Sequence, residues 1–89
     1  MVAKHLIISG RVQGVGFRYF SQETATRYHI KGWVRNLNDG TVELHAEGDA
    51  RDYETFKQAL QDGNRFVGVE QIDETDVTSE GHRTFDIRY

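Results

Sequence analysis

The chain has 89 residues, 37% of them hydrophobic and 28% charged, with a formal net charge of −3. That length suits one domain with a modest core, spanning 1–89, and no apolar run is long enough to cross a membrane. The lack of cysteine excludes disulfides, thiolate catalysis and cysteine-held metals, and the acidic balance argues against a nucleic-acid partner, which would need a basic face. Met1-Val2-Ala3-Lys4 leads directly into a strand with no secretory segment, so a cytoplasmic location is expected.

Leu6 and Ile8 alternate with Ile7 and Ser9, which predicts a first strand over about Lys4–Arg11. Gly10-Arg11-Val12-Gln13-Gly14-Val15-Gly16-Phe17-Arg18 follows as a strand-to-helix loop with three glycines in seven residues. Glycine permits positive φ and removes side chains that would keep a ligand off the main chain, so successive N–H groups can converge on an anion. The next helix points its positive end the same way, and Arg18 offers forked donors suited to phosphate oxygens. An oxyanion site is therefore one expectation. The other is a structural turn whose Arg18 pairs with a surface carboxylate. The dinucleotide fingerprint fails for want of a third glycine, and the P-loop fails because no Gly-Lys-Ser/Thr follows.

Phe17, Phe20, Thr24, Ala25 and Tyr28 form an inward stripe for a helix over Tyr19–Ile30, which Gly32 is expected to end. Trp33–Leu37 and Val42–Glu47 alternate as two strands, and Asn38-Asp39-Gly40 between them predicts a tight antiparallel hairpin. Asp49 suits a helix N-cap, with Asp52 as its capping-box partner. Tyr53, Phe56, Ala59 and Leu60 supply the buried stripe, and Gly63 supplies the stop. Val67, Val69, Ile72 and Val77 do not hold one parity, so a strand near Glu70–Val77 is expected to start with an irregularity. After a polar loop, Ser79–Arg83, a short last strand covers Phe85–Tyr89. This order predicts an α+β, ferredoxin-like split βαβ sandwich: an antiparallel sheet, two helices on one face and a short extra C-terminal strand. In that plan the first and third strands are central neighbours, which brings the glycine loop near Asn36.

Two stretches together resemble the acylphosphatase family. They are Gly10-Arg11-Val12-Gln13-Gly14-Val15 with Phe17-Arg18, and Gly32-Trp33-Val34-Arg35-Asn36 with Gly40, Val42 and Gly48 in register. The likeness runs over nearly the whole chain, including Phe85-Asp86-Ile87-Arg88-Tyr89. It implies hydrolysis of a small-molecule acyl phosphate to a carboxylate and inorganic phosphate, with no cofactor and no metal. It implies that Arg18 and the backbone N–H groups of Gln13, Gly14, Val15, Gly16 and Phe17 hold the phosphoryl group, and that Asn36 orients the attacking water. Gly16 departs from some relatives, which carry a larger residue there, so a looser empty loop is expected. No partner is needed to complete such a site, so a monomer is expected.

Other classes remain open at this point. A ferredoxin-like single-stranded RNA binder is one, since Gly14-Val15-Gly16-Phe17 superficially matches a glycine-aromatic motif. A module that binds a phosphate ligand without turning it over is another. Asn36 can also be a polar strand residue that satisfies nearby backbone groups. His5 and His45 are placed on neighbouring strands, with no third metal ligand at a recognisable spacing. His29 and His82 are expected to face solvent, as is the acidic run Glu70, Asp73, Glu74 and Asp76; Arg11 and Arg35 are expected as surface charges.

Overall fold

Aliphatic and β-branched residues around Leu6, Ile7 and Ile8 favour extended backbone, and strand β1 runs Val2–Arg11. In the computed structural model, which describes all of Met1–Tyr89, there follow α1 (Phe17–Arg27), β2 (Lys31–Asn36), β3 (Val42–Gly48), α2 (Ala50–Asp62), β4 (Gly68–Asp76) and β5 (Phe85–Ile87). The strands lie in the order β4-β1-β3-β2-β5. β1 pairs antiparallel with β3 and β4, and β3 pairs antiparallel with β2, which is the ferredoxin-like plan. The short extra strand is present and joins the antiparallel four by a parallel pairing, that of β5 with β2. β4 finishes with Asp76 beside Lys4, at the end of the sheet where β2 begins. A connection crossing from there to the far edge must enter β5 in the direction of β2.

Strand register decides which side chains meet. Leu6, Leu44 and Val34 form one row across the sheet, and Ile8, Val42 and Asn36 form the next. Both rows lie on the face covered by the helices, where Phe17 and Ala25 of α1 and Tyr53, Phe56 and Leu60 of α2 complete the core. Fully burying such side chains contributes roughly 1.5–3 kcal/mol each.

Three local expectations shift. Helix α1 ends at Arg27 rather than at Gly32, because His29 takes a left-handed φ of 62° and the Ile30 N–H turns back to the Ala25 carbonyl at 2.8 Å. Gly32 instead lies inside β2, where an added Cβ would come within 1.8 Å of the His45 carbonyl oxygen. In the α1 stripe Ser21 is fully buried while Phe20 and Tyr28 are only partly so; its hydroxyl donates to the Phe17 carbonyl at 2.7 Å, which satisfies it. At α2 the Asp49 carboxylate caps the N–H groups of Arg51 and Asp52 at 2.9 and 3.3 Å, but Asp52 returns no bond and the capping box is half made. The expected irregularity in β4 is present: Ser9 pairs with Gln71 and Gly10 with Val69, which leaves Glu70 as the extra residue of a bulge.

Candidate active site

Val12, 1% exposed, anchors the start of the loop between β1 and α1 in the core. Gly14 and Gly16 follow with φ of 74° and 78°. A Cβ at either would meet nothing within 4 Å, so the left-handed backbone rather than crowding calls for glycine. Gly16 is the N-cap of α1, which therefore has no side-chain cap, and its first turn holds no acidic residue. The N–H groups at the positive end of the helix are thus unclaimed by any side chain. Gln13 holds the loop in place. Its Nε2 donates to the carbonyls of Leu37 and Thr41 at 2.7 and 2.8 Å, which ties the loop to the β2–β3 hairpin.

Arg18 stands in the first turn of α1 and enters none of the ion pairs of the molecule. Its guanidinium carbon instead lies 4.7 Å from the centre of the exposed Tyr89 ring, a cation–π contact that leaves its hydrogen-bond donors free. The sequence alternative of a turn that neutralises Arg18 with a surface carboxylate is not what the fold builds.

Asn36 reaches the same place from the end of β2. The pleat that puts it in a row with Ile8 and Val42 also puts its amide on the covered face, and Asn36 Oδ1 is the one buried side-chain polar atom without a hydrogen-bond partner. A cavity of about 250 Å³ brings together Gly14, Gly16, Phe17, Arg18, Asn36 and Tyr89. Gln13 and Val15 do not line it: the Gln13 side chain faces the hairpin and Val15 packs against the core. Tyr89 is the residue that reasoning from loop spacing missed. Its signal lay in the alternation of Phe85–Tyr89, but only the parallel pairing of β5 with β2, continued by the Arg88 N–H to the Val34 carbonyl at 2.8 Å, carries it to Arg18. Phe17 is 1% exposed at the start of α1, so it offers no ring for stacking a base, and the RNA-binding alternative loses its one feature.

A loop of free N–H groups, an unpaired guanidinium and an unpartnered amide around one cavity suit a phosphoryl group and a water. Residues 4–87 match the family model for acylphosphatase. The chain belongs to the acylphosphatase family. An acylphosphatase from a Nocardioides species is 45% identical over 97% of this chain and 87% of its own length, and that of Bacillus subtilis is 44% identical over 100% and 99%. The crystal structure of the Bacillus subtilis acylphosphatase superposes with a TM-score of 0.95 over the whole of both chains at 43% identity. An acylphosphatase structure from Coxiella burnetii does so with a TM-score of 0.91 at 31% identity, over 98% of this chain and 92% of that one. The activity is that of the acylphosphatases, hydrolysis of an acyl phosphate to a carboxylate and inorganic phosphate. No helix is long and apolar enough to cross a membrane.

Proposed function

We propose that Arg18, with the backbone N–H groups of Gln13–Phe17, clamps the phosphoryl group and that Asn36 orients the water that attacks it. The enzyme works as a single-domain monomer in the cytoplasm. The observation that carries this reading is that Asn36, whose buried Oδ1 has no partner, lines one cavity with an unpaired Arg18. A buried amide oxygen without a partner costs about 1–3 kcal/mol, a cost that a water donating to it offsets when substrate is bound.

The water oxygen forms a bond to phosphorus as the bond from phosphorus to the acyl oxygen breaks, and the electron pair leaves with the carboxylate. Carboxylic acids have a pKa of about 4–5, so this group departs without a protein acid. The water proton passes to a phosphoryl oxygen of the substrate. Neither Arg18 nor Asn36 titrates in the cycle; the protein supplies position and charge stabilisation.

Benzoyl phosphate hydrolysis, followed by ultraviolet absorbance with no added metal, tests the division of roles. Asn36→Ala is expected to lower kcat by roughly 10²-fold, as for a misplaced reactant, while inhibition by inorganic phosphate stays as in the parent. Loss of phosphate inhibition with kcat intact would show that Asn36 holds the anion and not the water.

A further inference from the structure

The sheet face away from the helices gathers a second set of functional groups that hydrolysis does not use. His45 and Glu47 stand two residues apart on β3, so they project the same way, and each is only 2% exposed. Glu80 and His82, also two apart, lie on the connection between β4 and β5. His45 Nε2 is 2.6 Å from Glu47 Oε2 and 3.7 Å from Glu80 Oε1, and His82 Nε2 is 2.6 Å from that same Glu80 oxygen. One nitrogen or carboxylate oxygen from each of the four residues lies within 4.8 Å of the others. The expectation that His82 faces solvent is corrected here: its ring meets the edge of His45 at a centroid distance of 5.3 Å. His5, the cross-strand neighbour of His45, turns to Glu43 at 2.8 Å and takes no part.

We propose that His45, Glu47, Glu80 and His82 form a four-coordinate site for a borderline divalent transition-metal ion, Zn²⁺ foremost. Bonds of about 2.0–2.2 Å from a tetrahedral ion set its ligand atoms about 3.3–3.6 Å apart. The separations of 2.6 and 3.7 Å lie on either side of that range and none exceeds 4.8 Å, so side-chain rotations complete the shell. Two imidazoles favour Zn²⁺ or Co²⁺ over the hard ions Mg²⁺ and Ca²⁺. Two carboxylates balance the charge of a divalent ion, which an enclosed site requires. The supporting contacts are also in place. Glu47 Oε1 accepts from the Ser79 hydroxyl and from the N–H groups of Gly81 and His82 at 3.2, 3.2 and 3.3 Å, while Trp33 stacks on His45 and donates its indole N–H to Glu80 Oε1 at 3.3 Å. Such outer contacts fix the orientation of ligating groups. With all four positions filled by protein the ion is structural. It fastens the connection that delivers β5, and through it Tyr89, to the cavity on the other face.

Chain stripped with EDTA, titrated with Zn²⁺ by calorimetry and with Co²⁺ by visible absorption, tests the site. The expected result is one ion per chain, ligand-field bands of tetrahedral Co²⁺ and a raised Tm. His82→Ala and Glu80→Gln alter partly exposed side chains and leave the core intact; each is expected to weaken binding at least about tenfold, with benzoyl phosphate turnover retained. His29→Ala, an exposed histidine outside the cluster, is expected to bind as the parent does. Absence of saturable uptake by the parent chain would leave the cluster a hydrogen-bonded latch and overturn the proposal. So would uptake unchanged in His82→Ala, or uptake lost in His29→Ala.

Discussion

Two loops of this chain carry backbone N–H groups that no neighbouring strand or helix claims, and only one of them is filled by an acid of the chain itself. In the connection between β4 and β5, the N–H groups of Glu80, Gly81 and His82 converge on the buried carboxylate of Glu47. Burial alone would push the Glu47 pKa up, but bonds from the Glu80 N–H, His45, the Ser79 hydroxyl and the His82 N–H outweigh it and bring the value down to about 2. In the loop before α1, Gly14 and Gly16 take left-handed φ angles as Gly81 does, yet no side chain caps the helix and no acid stands in its first turn. A loop filled by the chain's own carboxylate is a fastening. A loop left without one can receive a substrate anion.

Substitutions in the two loops should therefore fail in opposite ways. Arg18→Ala is expected to lower kcat/KM by about 10²–10³-fold, as for a lost charge-stabilising donor, with Tm little changed because Arg18 makes no ion pair. Parallel steady-state kinetics and thermal melts would break the comparison if stability fell and turnover did not. Glu47→Gln is expected to cost about 1–3 kcal/mol in urea unfolding, since a charged acceptor of several N–H groups becomes a neutral one, with turnover per folded molecule near the parent value. Gly16→Ala should cost about 1–2 kcal/mol, because the φ of 78° stays while the Cβ meets only open space; weaker phosphate inhibition in the same variant would show that the strain lies in the anion site.

The smallest effect concerns a carboxylate held by side chains instead of backbone. The Tyr53 hydroxyl donates to Glu74 and, against some burial, that bond and Lys57 Nζ at 3.0 Å hold its pKa below the ordinary carboxylate value of 4.5. A lowered folded-state pKa contributes stability above the unfolded-state value, and that contribution is lost as the pH falls through the folded-state value. Denaturation of the parent and of Glu74→Gln at pH 7 and at pH 3 should therefore show a smaller acid loss in the variant.

Much of the fold was legible because its signals are local. The alternation of Leu6 and Ile8, the turn at Asn38-Asp39-Gly40, the cap at Asp49 and the stop at Gly63 each depend on a few adjacent residues, and each appears where expected. The end of α1 was misplaced because a non-glycine residue, His29, takes the left-handed conformation, which composition does not announce. His82 was misread because an exposed-looking polar loop folds back over β3 to meet His45.

The candidate site divides along the same line. Gly14, Gly16 and Arg18 were readable as an anion loop, since glycine and arginine carry their backbone and charge properties wherever they stand. Asn36 was readable only beside the resemblance to a family, because an asparagine at the end of a strand has many uses. By itself, then, the sequence determined the elements, the glycine loop and the charge of Arg18, all consequences of neighbours within a few positions. Strand register decided the rest: it placed Asn36 in an apolar row with an unpartnered oxygen, brought Tyr89 against Arg18 through a parallel β5, and gave Glu47 to one loop while leaving the other free. Those contacts join residues far apart in the chain, and their energies exist only once the sheet is assembled.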